Sequence, residues 1–60
     1  MQVMLDLSDD GLSDEPVTAD VLSVVSYEGA KLYAVVVPDL HGAPWFGLIH
    51  EASTALLQVL

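Results

Sequence analysis

The 60-residue chain carries nine carboxylates against one lysine, for a net charge of -8, yet 53% of its residues are hydrophobic. Lys31, the one cation besides the histidines, cannot supply the basic footprint of a nucleic-acid binder, so direct nucleic-acid binding is excluded. So negative a surface repels anionic lipid and attracts cationic surfaces over a Debye length of about 8 Å, which predicts a basic protein as partner.

The chain length predicts one domain over residues 1–60. A chain this short buries only about 60% of the surface that it exposes when unfolded. Because no cysteine is present for a disulfide, we expect the domain to gain stability as a homodimer. The first residues lack the positive region of a signal peptide, and no apolar run approaches the ~20 residues that span a membrane. A cytoplasmic location and no membrane contact are therefore predicted.

The N-terminal residues 2–7 predict a first strand, since Val3, Leu5 and Leu7 alternate with more polar neighbours. Residues 8–20 read SDDGLSDEPVTAD, which predicts an acidic, solvated connecting loop. The next two apolar runs, residues 21–27 and 31–37, flank a glycine-containing turn and predict an antiparallel hairpin. Pro38 is expected to end the last of these strands.

The strand over residues 31–37 is apolar on both faces, because Tyr33, Val35 and Val37 alternate with Leu32, Ala34 and Val36. Both faces therefore need cover, which is a second reason to expect a dimer or a bound partner.

The C-terminal segment from Leu48 to Leu60 has its apolar residues on about half of a helical wheel, which predicts an amphipathic helix after a loop over residues 39–47. The predicted fold is therefore α+β, with a three-stranded antiparallel sheet in the order β-β-β-α, completed by dimerisation. The residues expected in the core or dimer contact are Tyr33, Val35, Val37, Ile49, Ala52, Leu56 and Val59.

No pattern of residues supports catalysis, a metal or a cofactor. His41, His50, Asp39 and Glu51 are the candidate metal ligands, but His50 and Glu51 are adjacent and would point about 100° apart on a helix. Nucleophile, base and carboxylate types are present without a recognised spacing. We therefore predict that the chain is not an enzyme and holds neither metal nor cofactor.

Two segments are candidates for binding a partner. The acidic segment is either a solvated linker, as most charge runs are, or a patch complementary to a basic surface. The lack of interspersed cations and the spread of carboxylates from Asp6 to Asp20 over one region support the patch and bring the two interpretations level. Trp45 is either a core residue or an exposed anchor, whereas Phe46 is expected in the core. The candidate partner-binding residues are Asp6, Asp9, Asp10, Asp14, Glu15, Asp20 and Trp45.

Residues 21–60 contain Tyr33, the run Val37-Pro38-Asp39-Leu40-His41-Gly42 and His50-Glu51-Ala52 leading an apolar segment. With these features the segment resembles the N-terminal domain of HicB-like antitoxins. It implies a β-β-α module that binds a small basic toxin ribonuclease. The DNA-binding domain that commonly follows in that family has no counterpart in residues 1–60.

These observations predict a small acidic module that binds and inhibits a basic, nucleic-acid-acting protein, as an antitoxin or a phage-encoded inhibitor does. The alternative is a structural or assembly subunit that associates with its own copies through the apolar face of its sheet.

Overall fold

A computed structural model describes all residues from 1 to 60 and shows an all-β protein with no helix. The five strands are β1 (Gln2–Leu5), β2 (Val17–Tyr27), β3 (Ala30–Leu40), β4 (Ala43–His50) and β5 (Leu56–Val59). They form one antiparallel sheet in the order β4-β3-β2-β1-β5. The predicted α+β class with three strands and a C-terminal helix is therefore wrong.

Two tight hairpins build the long part of the sheet. Glu28 and Gly29 connect β2 to β3, and His41 and Gly42 connect β3 to β4; all four have positive φ angles. Two such residues in succession form the turn whose twist matches that of the paired strands. The predicted hairpin over residues 21–37 is confirmed, and a second hairpin follows it where a loop was expected.

The core lies on one face of the sheet. Side chains from β1, β2, β3 and β4, with Leu7 just after β1, form a single buried cluster of Val3, Leu5, Leu7, Ala19, Tyr33, Val35, Val37 and Ile49. Val3, Leu5 and Ala19 are completely buried although no second layer packs on the sheet. The sheet must therefore curl around its inner face, with β4 and β5 as the two unpaired edges.

The predicted helix over residues 48–60 is wrong because this segment holds the end of one strand, a turn and another strand. In β4, Trp45, Gly47 and Ile49 alternate with Phe46, Leu48 and His50, so the strand has apolar residues on both faces. Hydrogen bonds of Ser53 form a turn in place of a helix. The Ser53 N–H donates to the His50 carbonyl at 2.9 Å, and the Ser53 Oγ accepts from the Ala55 N–H at 3.1 Å. These bonds turn the chain into β5. The helix that the family resemblance implied is absent with it.

Pro38 does not end β3. The strand continues to Leu40, so the prediction that it ends at Pro38 is wrong. The register between β3 and β4 shifts between Val37 and Leu40, and a proline is tolerated in a sheet where the ladder is irregular. Of the predicted connection over residues 8–20, residues 8–16 lie outside the strands and 17–20 begin β2.

The hairpin of β2 and β3 extends beyond the core and makes the molecule elongated, 34 × 20 × 18 Å. The register of β2 against β3 shifts between Val21 and Ser23, and every residue from Leu22 to Gly29 is exposed. Since the fold contains no helix, it has none that is long and apolar enough to cross a membrane.

Candidate protein-binding surfaces

Six of the nine carboxylates lie at one end of the sheet, which we call the acidic end: Asp6, Asp9, Asp10, Asp14, Glu15 and Asp39. The first five follow β1 in the loop to β2, and Asp39 precedes the turn from β3 to β4. His41 joins the two loops, because its Nε2 is hydrogen-bonded to the Leu12 carbonyl oxygen. Residues distant in sequence thus share one surface.

Local hydrogen bonds fix the backbone of the acidic end. The Asp39 Oδ1 accepts from the Gly42 N–H at 2.8 Å, and the Ser13 Oγ donates to the Glu15 carbonyl oxygen at 2.8 Å. Leu12 and Leu7 anchor the loop from inside, where Leu12 packs against the core cluster. The carboxylates of Asp9, Asp10, Asp14 and Glu15 are left exposed on an ordered backbone.

Hydrogen bonds from Ser8 alter the acidity of the Asp6 carboxyl group. Its Oδ1 accepts from the Ser8 Oγ at 2.6 Å and from the Ser8 N–H at 3.0 Å. Both bonds favour the ionised form, so they lower the pKa of Asp6 below its ordinary value of 3.8. The Asp6 carboxylate therefore stabilises the backbone at the start of the loop through its bonds with Ser8.

Replacing Asp6 by asparagine should flatten the acid limb of the stability profile. A lowered folded-state pKa contributes stability above the unfolded pKa of 3.8, and this contribution is lost as the pH falls through the folded pKa. Thermal unfolding from about pH 5 to pH 2 should show wild type and Asp6→Asn converging as the pH falls. Asp14→Asn, which removes an exposed carboxylate from the same loop, should keep the wild-type profile. A constant difference for Asp6→Asn across the range would contradict this role.

The remaining charges lie away from the acidic end. Lys31 is at the start of β3, eight residues before Asp39, a distance of roughly 25 Å along a strand. Glu28 lies in the turn before it, and the Glu51 N–H donates to the Lys31 carbonyl oxygen at 2.9 Å. Asp20 lies in mid-sheet, where its Oδ1 accepts from the Gln2 Nε2 at 2.9 Å. The negative charge is thus strongly polarised along the molecule.

The outer face of the sheet, opposite the core, carries an uncovered apolar surface. Phe46 and Leu48 are 66% and 67% exposed, and the register places them beside Val36 and Ala34 of β3. The next row pairs His50 with Leu32, and Leu32 in turn with Val25. We call this surface the outer patch; its members are Val25, Tyr27, Leu32, Ala34, Val36, Phe46 and Leu48. The prediction that Phe46 lies in the core is therefore wrong.

Trp45 lies on the inner side of β4, half-buried against the core cluster. Its ring covers Gly47, so closely that a Cβ at Gly47 would stand 2.5 Å from the Trp45 Cη2. Only glycine leaves room for the ring in this position. The indole therefore closes the edge of the core; its predicted role as an anchor for a partner stays a prediction.

Gly47→Ala should displace the Trp45 ring. Overpacking of this kind costs about 1–2 kcal/mol of the free energy of unfolding. We expect a red-shifted Trp45 emission in the native variant, because the ring moves toward water, together with a lower urea midpoint. Ala43→Gly, a change of one methyl at an exposed position of the same strand, serves as the control. Wild-type emission and midpoint in Gly47→Ala would show that the ring is not packed on this glycine.

The other predicted core or dimer residues divide into two groups. Tyr33, Val35, Val37 and Ile49 belong to the buried cluster, whereas Ala52 lies exposed in the turn after β4. Leu56 is half-buried in β5, and Val59 is exposed at the end of that edge strand. The helical wheel groups these last three residues, but the register with β1 places only Leu56 and Val59 on the inner face, opposite Leu5 and Val3, whereas Ala52 lies in the turn.

No three histidine, aspartate or glutamate side chains stand close enough together to hold a metal ion, and the surface has no cavity. The arrangement instead offers two separated surfaces, one strongly acidic and one apolar. Comparison with family models, with curated proteins and with solved structures finds no match to this chain.

Proposed function

We propose that the chain binds a basic protein through its acidic end and blocks that protein's cationic surface. The observation that carries the proposal is the gathering of six carboxylates on two loops joined by His41, with Lys31 at the far end of β3. A surface of one sign, held on an ordered backbone, steers a cationic partner and raises its association rate.

The chemistry of such a partner follows from what the acidic end offers. Its carboxylates accept hydrogen bonds from arginine and lysine, as phosphate groups do. A protein that uses a lysine- or arginine-rich surface to hold nucleic acid presents matching groups to this end. Occupying that surface would exclude the nucleic acid, so the module acts as an inhibitor of a nucleic-acid-acting protein, in the manner of an antitoxin or a phage-encoded inhibitor.

Two charge-matched variants test the proposal. Asp9→Asn with Asp10→Asn and Asp14→Asn neutralises the acidic end, and Asp20→Asn with Glu28→Gln and Glu51→Gln neutralises the same number of carboxylates elsewhere. Both change the net charge from -8 to -5. A difference between them therefore reports the location of the charge and not its amount.

The measurement is capture of proteins from host lysate on each immobilised chain at low and high salt, followed by a nuclease or DNA-binding assay of what is released. We expect the wild type and the second variant to retain a basic, nucleic-acid-acting protein that high salt releases and that loses activity when bound. The first variant should bind it at least about tenfold more weakly, since each exposed charge pair contributes up to about 1 kcal/mol. Equal loss in both variants, or recovery of copies of this chain alone, would overturn the proposal.

A further inference from the structure

The edge strand β4 and the outer patch beside it have no cover within the chain. An unpaired edge presents a row of free N–H and C=O groups, and proteins usually protect it by shortness, bulges or charged side chains. β5, the other edge, has only four residues and a register shift. β4 has eight residues and runs in regular register from Trp45 to His50, with His50 as its one ionisable side chain.

We propose that β4 pairs with β4 of a second copy of this chain, in antiparallel orientation, and joins the two sheets into one. A two-fold axis makes such a contact self-complementary and closes it at two subunits. The acidic end has a separate place in the molecule, so this inference does not depend on the proposed function.

The charge distribution favours the antiparallel orientation over the parallel one. Antiparallel pairing of β4 places the acidic ends of the two copies at opposite extremes, and each of them lies beside the end of the other copy that carries only Lys31, Glu28 and Glu51. A parallel arrangement would bring the two acidic ends together. A basic partner has no charge to meet on β4, because Ala43 to Ile49 carry none and the Asp20 carboxylate on the outer face is bonded to Gln2.

Backbone geometry limits the register of the pairing. N–H and C=O groups that point away from β3 belong to every second residue, so only residues of equal parity can bond across the new contact. Centring the contact on Gly47 pairs residues 44 to 50 and places Phe46 opposite the second copy's Leu48 on the outer face, with Pro44 contributing only its carbonyl group because it has no N–H. The outer patches of the two copies then form one continuous apolar surface across the contact.

A stable dimer of so small a chain needs a contact that covers a substantial share of its surface. A typical interface buries about 800 Å² from each partner, which is about a fifth of the 3898 Å² surface of one chain. Phe46 and Leu48 would become half-enclosed by their counterparts, which reduces the exposed apolar surface on the outer patch.

Size-exclusion chromatography with light scattering tests the pairing on the intact chain. We expect a mass of twice 6.4 kDa at micromolar concentration. Leu48→Lys and Phe46→Lys should each raise the dissociation constant at least about tenfold, whereas Leu57→Lys, a similar change on an exposed leucine of β5, should leave the dimer intact. Far-UV circular dichroism of each variant confirms that it stays folded. A monomeric wild type, a mass above the dimer, or dissociation by Leu57→Lys as strong as by Leu48→Lys would overturn the proposal.

Cysteine cross-linking tests the register of the dimer, and the chain has no cysteine of its own to interfere. Directly opposite residues of antiparallel strands are close enough for a disulfide. Under mild oxidation a mixture of Phe46→Cys and Leu48→Cys chains should cross-link several-fold more than either chain alone. More cross-linking by one variant alone than by the mixture would contradict a contact centred on Gly47.

Discussion

Leu5→Ala is expected to remove most of the free energy of unfolding of this domain. Leu5 is fully buried on β1, the strand that joins β2 to the edge strand β5. Removing a leucine side chain from such a position costs about 2–5 kcal/mol, and the core of so small a domain supplies only about 3–5 kcal/mol in total. The substitution therefore removes most of the stability that the fold has.

Urea unfolding monitored by Trp45 emission measures this loss. Leu57→Ala is the matched control, because Leu57 is half-exposed on β5 and its truncation should change the free energy of unfolding by less than about 0.5 kcal/mol. A change below about 1 kcal/mol for Leu5→Ala would mean that β1 is not the centre of the core.

Gly42→Val is expected to lower the free energy of unfolding by about 2–3 kcal/mol. Gly42 has a φ angle of +91°, a conformation that a β-branched residue does not adopt without strain. The same turn positions His41 against the Leu12 carbonyl oxygen, so the substitution should also loosen the loop that carries the acidic end.

Amide hydrogen exchange separates the two effects. In Gly42→Val we expect faster exchange at Leu12, whose N–H donates to the Leu7 carbonyl at 3.2 Å, in addition to the lower urea midpoint. Gly29→Val strains a turn of the same type, at +81°, but in the exposed hairpin between β2 and β3. It should therefore cost less global stability and leave Leu12 unchanged. Equal effects of the two variants on Leu12 would refute the link between the turn and the acidic loop.

The sequence predicted those parts of the fold in which local pattern and turn chemistry agree. Glu28-Gly29 lies between two β-branched runs, and the hairpin it forms is the one expected. Tyr33, Val35 and Val37, which were expected in the core or the dimer contact, form the buried face of β3. Where periodicity and turn residues indicate the same structure, tertiary context has little to change.

The predicted helix failed because β4 is apolar on both faces. Trp45 and Ile49 face the core while Phe46 and Leu48 face outward, so the strand lacks the alternation by which half-buried strands are recognised. The alternative, a continuous apolar run, cannot be told from a helix by periodicity alone. The strand was also hard to recognise because proline and glycine are typical of loops, and this part of the chain contains Pro38, Gly42, Pro44 and Gly47.

The candidate surfaces were predictable to different degrees. The acidic loop is visible in the sequence as a charge run, but Asp39 joins it only through the turn that brings His41 to Leu12. The outer patch could not be assigned, because the sequence shows that β3 is apolar on both faces without showing which face is covered. A strand order is needed to identify β4 as an open edge.

The two proposed contacts lie on separate surfaces of this small molecule. The inner face of the curled sheet holds the core, and the acidic end and the outer patch are available for contacts outside the chain. In the proposed dimer both acidic ends remain free, so each dimer can engage two basic partners. The two contacts differ in their response to salt, since ionic pairing weakens with added salt while apolar burial does not.

The central claim, that cationic groups bind at the acidic end, is tested most directly by titrating the isotope-labelled chain with a short oligolysine peptide in a nuclear magnetic resonance experiment. We expect the largest amide shift changes at Asp9, Asp10, Asp14, Glu15 and Asp39, with little change at Glu28 and Glu51 and a loss of all changes at high salt. Shift changes of equal size at Glu28 and Glu51, or changes centred on Phe46 and Leu48, would contradict it.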